Sequence, residues 1–183
     1  MSLQKLQFFY QFIKYPRVIG SITPSSIFLA KAMVAPVHWD DAEVIVELGA
    51  GTGVFTKCIK QKMKKGSRAY IFEKNLHLSN QLLQQYPAFS HHTRAEHLSS
   101  SLYEAGEKYA DVIISGLPFT VFPKSLTIQI TNEVLKSLKP GGLFITFQFS
   151  LNMKKQLQSH FSKVDIKFVP LNIFPAFVFI CYK

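Results

Sequence analysis

A chain of 183 residues is long enough to bury a full α/β core without disulfides or metals, and 48% hydrophobic against 17% charged residues excludes a disordered chain. Its two cysteines, Cys58 and Cys181, have no metal-ligand or redox spacing and predict buried thiols in a reducing compartment. The net charge of +10 sits at the two ends, with ten Lys/Arg against four acids over 1–70 and seven against one over 136–183; such a basic face suits nucleic acid, an anionic membrane surface or mere solubility, and charge alone does not choose.

The first expected element is an amphipathic helix over 3–15. Leu3, Leu6, Phe9 or Tyr10, and Ile13 share one face, Lys5 and Lys14 lie among the flanking glutamines, and Phe8 and Phe12 widen the apolar stripe. No acid occurs before Asp40. That composition suits an interfacial membrane helix and equally a lid over a site. Tyr10 and Tyr15 are expected as interfacial anchors or as hydrogen-bonding groups for a substrate head group. No secretory pattern and no run near the ~20 apolar residues of a membrane span is present, which predicts a cytoplasmic protein, peripheral where it meets a membrane. Pro16 ends this helix, and Pro24-Ser25-Ser26 starts the next, over 25–35.

Residues 44–53 organise the rest. Val44, Ile45, Val46 and Leu48 read as a strand buried on both faces, Gly49, Gly51 and Gly53 follow, and Val54 to Ile59 opens a helical pattern. A strand, a glycine turn and a helix start form a unit that lets a nucleotide approach the main chain. Glu47 lies within the strand end before the first glycine, where its carboxylate is expected to face a ligand. Glu73 closes the next apolar run, 69–72, where a bidentate carboxylate grips a ribose diol. The string Glu47-Leu-Gly-Ala-Gly-Thr-Gly53 resembles motif I of the class I S-adenosylmethionine-dependent methyltransferases more than a nicotinamide fingerprint. The resemblance implies S-adenosylmethionine as cofactor, with Glu47 toward its methionine end and Gly49, Ala50, Gly51, Gly53, Glu73 and Lys74 around it. Arg94-Ala95-Glu96 falls where such enzymes read the adenine ring, which places Ala95 and Glu96 in that pocket.

Further along, a helix is expected at 54–64, a strand at 68–73, a helix at 75–86, a strand at 89–93 and a short helix at 101–107. A strand at 111–115 and a helix at 124–138 follow, the latter ended by Lys139-Pro140-Gly141-Gly142. A strand at 143–149, a helix at 152–160 and strands at 163–169 and 176–182 complete the pattern. His77, His91, His92 and His97 show no metal spacing and read as surface or loop residues, and no metal is expected. The alternation predicts an α/β fold: a doubly wound, mostly parallel seven-stranded sheet with an antiparallel last strand. One methyltransferase domain is expected over 1–183, with 1–19 as amphipathic helix or lid and 20–183 as catalytic core.

Ser115-Gly116-Leu117-Pro118-Phe119 should emerge at the carboxyl edge beside the ligand crevice. Ribosomal RNA adenine dimethylases resemble it, but carry Asn-Leu-Pro-Phe with the Asn holding the adenine amine; here Gly116 stands in that place. Ser115-Gly-Leu-Pro118, together with Gly20 to Ser26, the Pro140-Gly-Gly142 turn and Asn172-Ile-Phe-Pro-Ala176, resembles the bacterial phospholipid N-methyltransferases over roughly residues 18–182. Phe174 replaces the first Pro of that family's Asn-x-Pro-Pro-Ala element. The resemblance implies methylation of an aminophospholipid head group, phosphatidylethanolamine, at an anionic membrane surface. Ser115, Gly116, Leu117, Pro118 and Tyr15 are the expected catalytic-site residues, with Ser115 also toward the cofactor. Methylation of adenine in ribosomal RNA, or of a small molecule, is the alternative.

Overall fold

The computed structural model describes residues 24–172 and 174–183, so the helix expected at 3–15 and Tyr15 lie outside the described residues. Seven strands form one sheet: β1 (Val44–Leu48), β2 (Arg68–Phe72), β3 (Ser90–His92), β4 (Ala110–Ser115), β5 (Leu138–Gln148), β6 (Lys163–Val169) and β7 (Ala176–Tyr182). Their order is β3-β2-β1-β4-β5-β7-β6. The first five pair in parallel, and β7 runs antiparallel between β5 and β6, as the pattern predicts. The described helices are α1 (Pro24–Val34), α2 (Val54–Lys62), α3 (Leu76–Gln85), α4 (Leu98–Glu104), α5 (Lys124–Ser137) and α6 (Lys154–His160).

Strand alternation sorts side chains into two cores. Ile45, Ile114, Ile145 and Val178 join α1, α2 and Leu82 of α3 on one face. Val46, Leu48, Ile113, Phe144 and Phe179 join α4, α5 and α6 on the other. With period two, each central strand supplies both cores, which is why its run is continuously apolar. Each fully buried Ile, Leu or Phe contributes roughly 1.5–3 kcal/mol relative to exposure. At the amino edge, the Asp111 carboxylate accepts from the Glu43 and Val44 amides at 2.9 and 2.7 Å and pairs with Lys139, tying β1, β4 and β5 together.

Two elements differ from expectation by three residues or more, the others by two at most. The helix expected at 101–107 is α4, three residues earlier. The Glu133 carboxylate of α5 accepts from the Ser99 amide (2.9 Å) and hydroxyl (2.6 Å), so the capping acceptor comes from another helix. Gly106, at φ +81°, marks its far end. The strand expected at 143–149 instead starts at Leu138 and runs through the Pro-Gly-Gly turn. Leu138 pairs with Ala110 before a register shift, and the Gly141 amide and Gly142 carbonyl bond the Lys183 main chain at 2.9 and 3.1 Å. The turn residues therefore form an irregularity inside a ladder, not a loop between elements.

Candidate active site at the carboxyl edge

The glycine turn after β1 is built by backbone angles. Gly49, Gly51 and Gly53 have φ of +72°, +58° and +83°, which side chains with a Cβ resist. The Gly49 and Ala50 amides donate to the Phe72 carbonyl at 2.8 and 3.3 Å, and the Gly51 amide donates to Glu73 Oε2 at 2.7 Å. A Cβ on Gly49 would lie 2.7 Å from Leu117 Cδ2, whereas one on Gly51 would meet nothing within 4 Å. The space over Gly51 is open to a ligand.

Glu73 is nearly buried, and its other oxygen accepts from the Asn75 amide at 2.8 Å. Asn75 in turn caps α3 by accepting from the His77 and Leu78 amides at 3.0 and 3.2 Å. Both carboxylate oxygens are thus oriented by the backbone, yet each has a further lone pair for a diol.

Glu47 is fully buried on the sheet face covered by α1 and α2. Its Oε2 accepts from the Thr56 hydroxyl at 2.7 Å; its Oε1 has no hydrogen-bond partner among the described residues. Burial pushes this carboxyl up to about 8, against hydrogen bonds from Thr56 that lower it, and the Glu73 charge adds to the rise. An orphaned buried carboxylate oxygen is a socket for a cation or a donor.

The loop after β4 rests directly on the glycine turn. The Gly116 amide donates to the Leu48 carbonyl at 2.8 Å, and a Cβ on Gly116 would stand 2.8 Å from the Gly49 carbonyl oxygen. Glycine at 116 therefore has a packing reason: the two loops touch. Ser115 is buried, and its Oγ accepts from the Leu117 amide at 3.2 Å. Gln148, which sequence reasoning missed, donates through Nε2 to the Leu117 carbonyl at 3.1 Å. Its one visible signal was a polar residue at the end of an otherwise apolar strand.

A cleft of about 940 Å³ lies over this edge, within the range that holds small ligands. It brings together Gly49, Glu73, Lys74, Ala95, Glu96, Gly116, Leu117 and Pro118 of the expected site, and adds apolar Val121, Phe122 and Leu126. Glu47, Ala50, Gly51, Gly53 and Ser115 do not line it; they stand beside or beneath it. Among the described residues no group of three or more His, Cys, Asp or Glu is placed to hold a metal. His92, expected at the surface, is half-buried, its ring stacked on Phe72 at 4.8 Å, and burial draws its pKa down with the help of the His91 charge. Cys181 is buried as expected, while Cys58 is only partly so.

S-adenosylmethionine fits these groups: Glu73 offers acceptors to a ribose diol, and Glu47 Oε1 offers one to the ammonium of an amino acid. The methyltransferase small domain family matches residues 19–168. An ornithine lipid N-methyltransferase of Singulisphaera acidiphila is 31% identical over 180 residues, spanning 95% of this chain and 93% of its own. Among solved structures, the 1,6-didemethyltoxoflavin-N1-methyltransferase of Burkholderia thailandensis, holding S-adenosylhomocysteine, superposes with a TM-score of 0.71 at 16% identity, covering 98% of this chain and 87% of that one. The T. thermophilus 16S rRNA N2 G1207 methyltransferase, solved with AdoMet and guanosine, gives 0.64 at 21%, covering 90% and 44%. At such identities the likeness is one of fold. The chain belongs to the methyltransferase small domain family and is an S-adenosylmethionine-dependent methyltransferase of the class I fold.

Proposed function

We propose that this methyltransferase acts on the primary amine of a polar-lipid head group at a membrane surface. The observation that carries the reading is the ornithine lipid N-methyltransferase aligned over 95% of the chain. The loop geometry supports it. The contact between Gly116 and the Gly49 carbonyl leaves no room for the amide side chain that base-methylating relatives use to hold adenine. Phosphatidylethanolamine and an ornithine lipid share the required chemistry, an amine on an amphiphile, and the assay separates them.

When bound, the cofactor would supply an activated sulfonium methyl for a neutral amine nitrogen. The chain's share is alignment and exclusion of water. Glu73 and the glycine turn would hold the nucleoside, Glu47 the amino acid cation, and Ala95 and Glu96 the adenine. Leu117 and Pro118 would wall the transfer site, held in place by Ser115 and Gln148. The helix expected at 3–15, with Tyr15, would deliver the lipid and cover the site. No helix among the described residues is long and apolar enough to cross a membrane.

The test is methyl transfer from radiolabelled S-adenosylmethionine to vesicles of phosphatidylethanolamine or ornithine lipid, each mixed with anionic lipid. Label in one lipid extract, lost with Glu47→Ala, is expected and identifies the acceptor. Label in neither, with cofactor binding intact by calorimetry and transfer to unmodified ribosomal RNA instead, overturns it.

A further inference from the structure

The acceptor half of the sheet ends in an apolar edge that methyl transfer itself does not use. β5 and β6 run up to the carboxyl edge and β7 runs down from it, so the β5–α6 loop and the β6–β7 connection stand level with the loop after β4. There Leu151, Phe168 and Leu171 are 45%, 52% and 64% exposed. Large apolar side chains grouped at one edge mark an interaction surface more than scattered ones do. Lys154, Lys155 and Lys167 are exposed beside them and form no ion pair among the described residues. The one acid between 136 and 183, Asp165, is held by Lys163 at 2.7 Å.

This edge is continuous with the site. Phe174 meets Phe149 with ring centroids 6.1 Å apart, Phe149 meets Phe147 at 5.7 Å, and Phe147 meets Phe55 at 6.0 Å. Phe55 reaches the Gly116 loop, its Cε2 lying 3.4 Å from a Cβ built on Gly116. Asn172 Nδ2 donates to the Phe174 carbonyl at 3.0 Å, which fixes the connection at the head of this file.

We propose that the β5–α6 loop and the β6–β7 connection form a docking edge for an anionic bilayer. Leu151, Phe168 and Leu171 would enter the head-group and acyl boundary, and Lys154, Lys155 and Lys167 would stay among the lipid phosphates. A bilayer interface takes both kinds of side chain at once, apolar ones inward and ammonium groups at the charged layer. RNA would satisfy the lysines but leave the leucines in water. The inference deepens the aminolipid reading and draws its purpose from it, since docking here sets the loop after β4 at head-group level.

The test uses the full chain with S-adenosylmethionine and sedimentation with two kinds of vesicle, phosphatidylethanolamine with phosphatidylglycerol, and phosphatidylcholine alone. Leu151→Gln with Leu171→Gln, and separately Lys154→Gln with Lys155→Gln and Lys167→Gln, should each weaken binding to the anionic vesicles tenfold or more. Calorimetric cofactor affinity, Tm and methyl transfer to a monomeric short-chain aminolipid should be unchanged. Binding within twofold of the parent in both variants overturns the docking edge, as does a lysine variant that loses RNA affinity but keeps vesicle affinity. Should the parent methylate no lipid while vesicle binding still depends on these residues, the aminolipid reading falls and the docking edge stands. Lipid methylation by variants that still bind vesicles like the parent gives the converse.

Discussion

The two halves of the sheet meet at Gly49 and Gly116 but are held in different ways. On the β1–β2–β3 side, carboxylates and main-chain amides fix the site: Glu73 takes the Gly51 and Asn75 amides, and Glu47 takes the Thr56 hydroxyl. On the β5–β7–β6 side, rings do it, from Phe147 through Phe149 to Phe174, with Gln148 and Asn172 as polar pins. A charged, diol-bearing cofactor calls for directional groups held to a fraction of an ångström. The amphiphile proposed as acceptor would call for area, and area tolerates change. The cofactor half should therefore be brittle and the acceptor half forgiving.

The largest break of that contrast is Glu73→Ala. Hydrogen bonds to a charged group contribute roughly 1.5–3 kcal/mol each, so losing the pair to a diol predicts cofactor affinity weaker by more than about a hundredfold, read by calorimetry. At the seam, Gly116→Asn sets a Cβ 2.8 Å from the Gly49 carbonyl. Such overpacking costs roughly 1–3 kcal/mol, so Tm should fall by several degrees with no gain of adenine methylation.

Glu47 gives a pH signature. Its cofactor-free carboxyl, pushed up to about 8 by burial, holds a proton that the unfolded chain, at 4.5, has released. The folded state therefore binds more protons between those values, and apo stability should fall as pH rises from 4.5 to about 8, then level. A bound ammonium favours the ionised form, so cofactor affinity should rise over the upper part of that window, by up to about tenfold per pH unit, with proton release. Calorimetry in buffers of different ionisation heat reads both, and Glu47→Gln should flatten the profile. The smallest effect belongs to the acceptor half: Gln148→Leu frees the Leu117 carbonyl and should lower kcat about tenfold, the scale of one hydrogen bond, with cofactor affinity within twofold.

What could be read from the sequence follows the range of the forces. The glycine turn and Glu73 after β2 are local and appear where the pattern puts them, whereas β5 starts early because Leu138 pairs with the distant Ala110. The α4 boundary was misplaced because its capping acceptor, Glu133, lies 34 residues from Ser99. Gln148 was missed because its partner, Leu117, is 31 residues away. Gly116 looked like a lost side chain because the carbonyl that forbids one belongs to another loop. Tyr15 and the expected helix at 3–15 fall outside the described residues.

The place of β7 has a consequence for synthesis. It is seventh in the chain but sixth in space, and it is the partner of both β5 and β6. Until residues 176–182 have left the ribosome, β6 has no strand to pair with and the eleven-residue β5 keeps one ladder edge open. Bare edges of that length invite pairing with other chains. A released chain truncated before Ala176 should therefore be the aggregation-prone species, and a chaperone would find its target there.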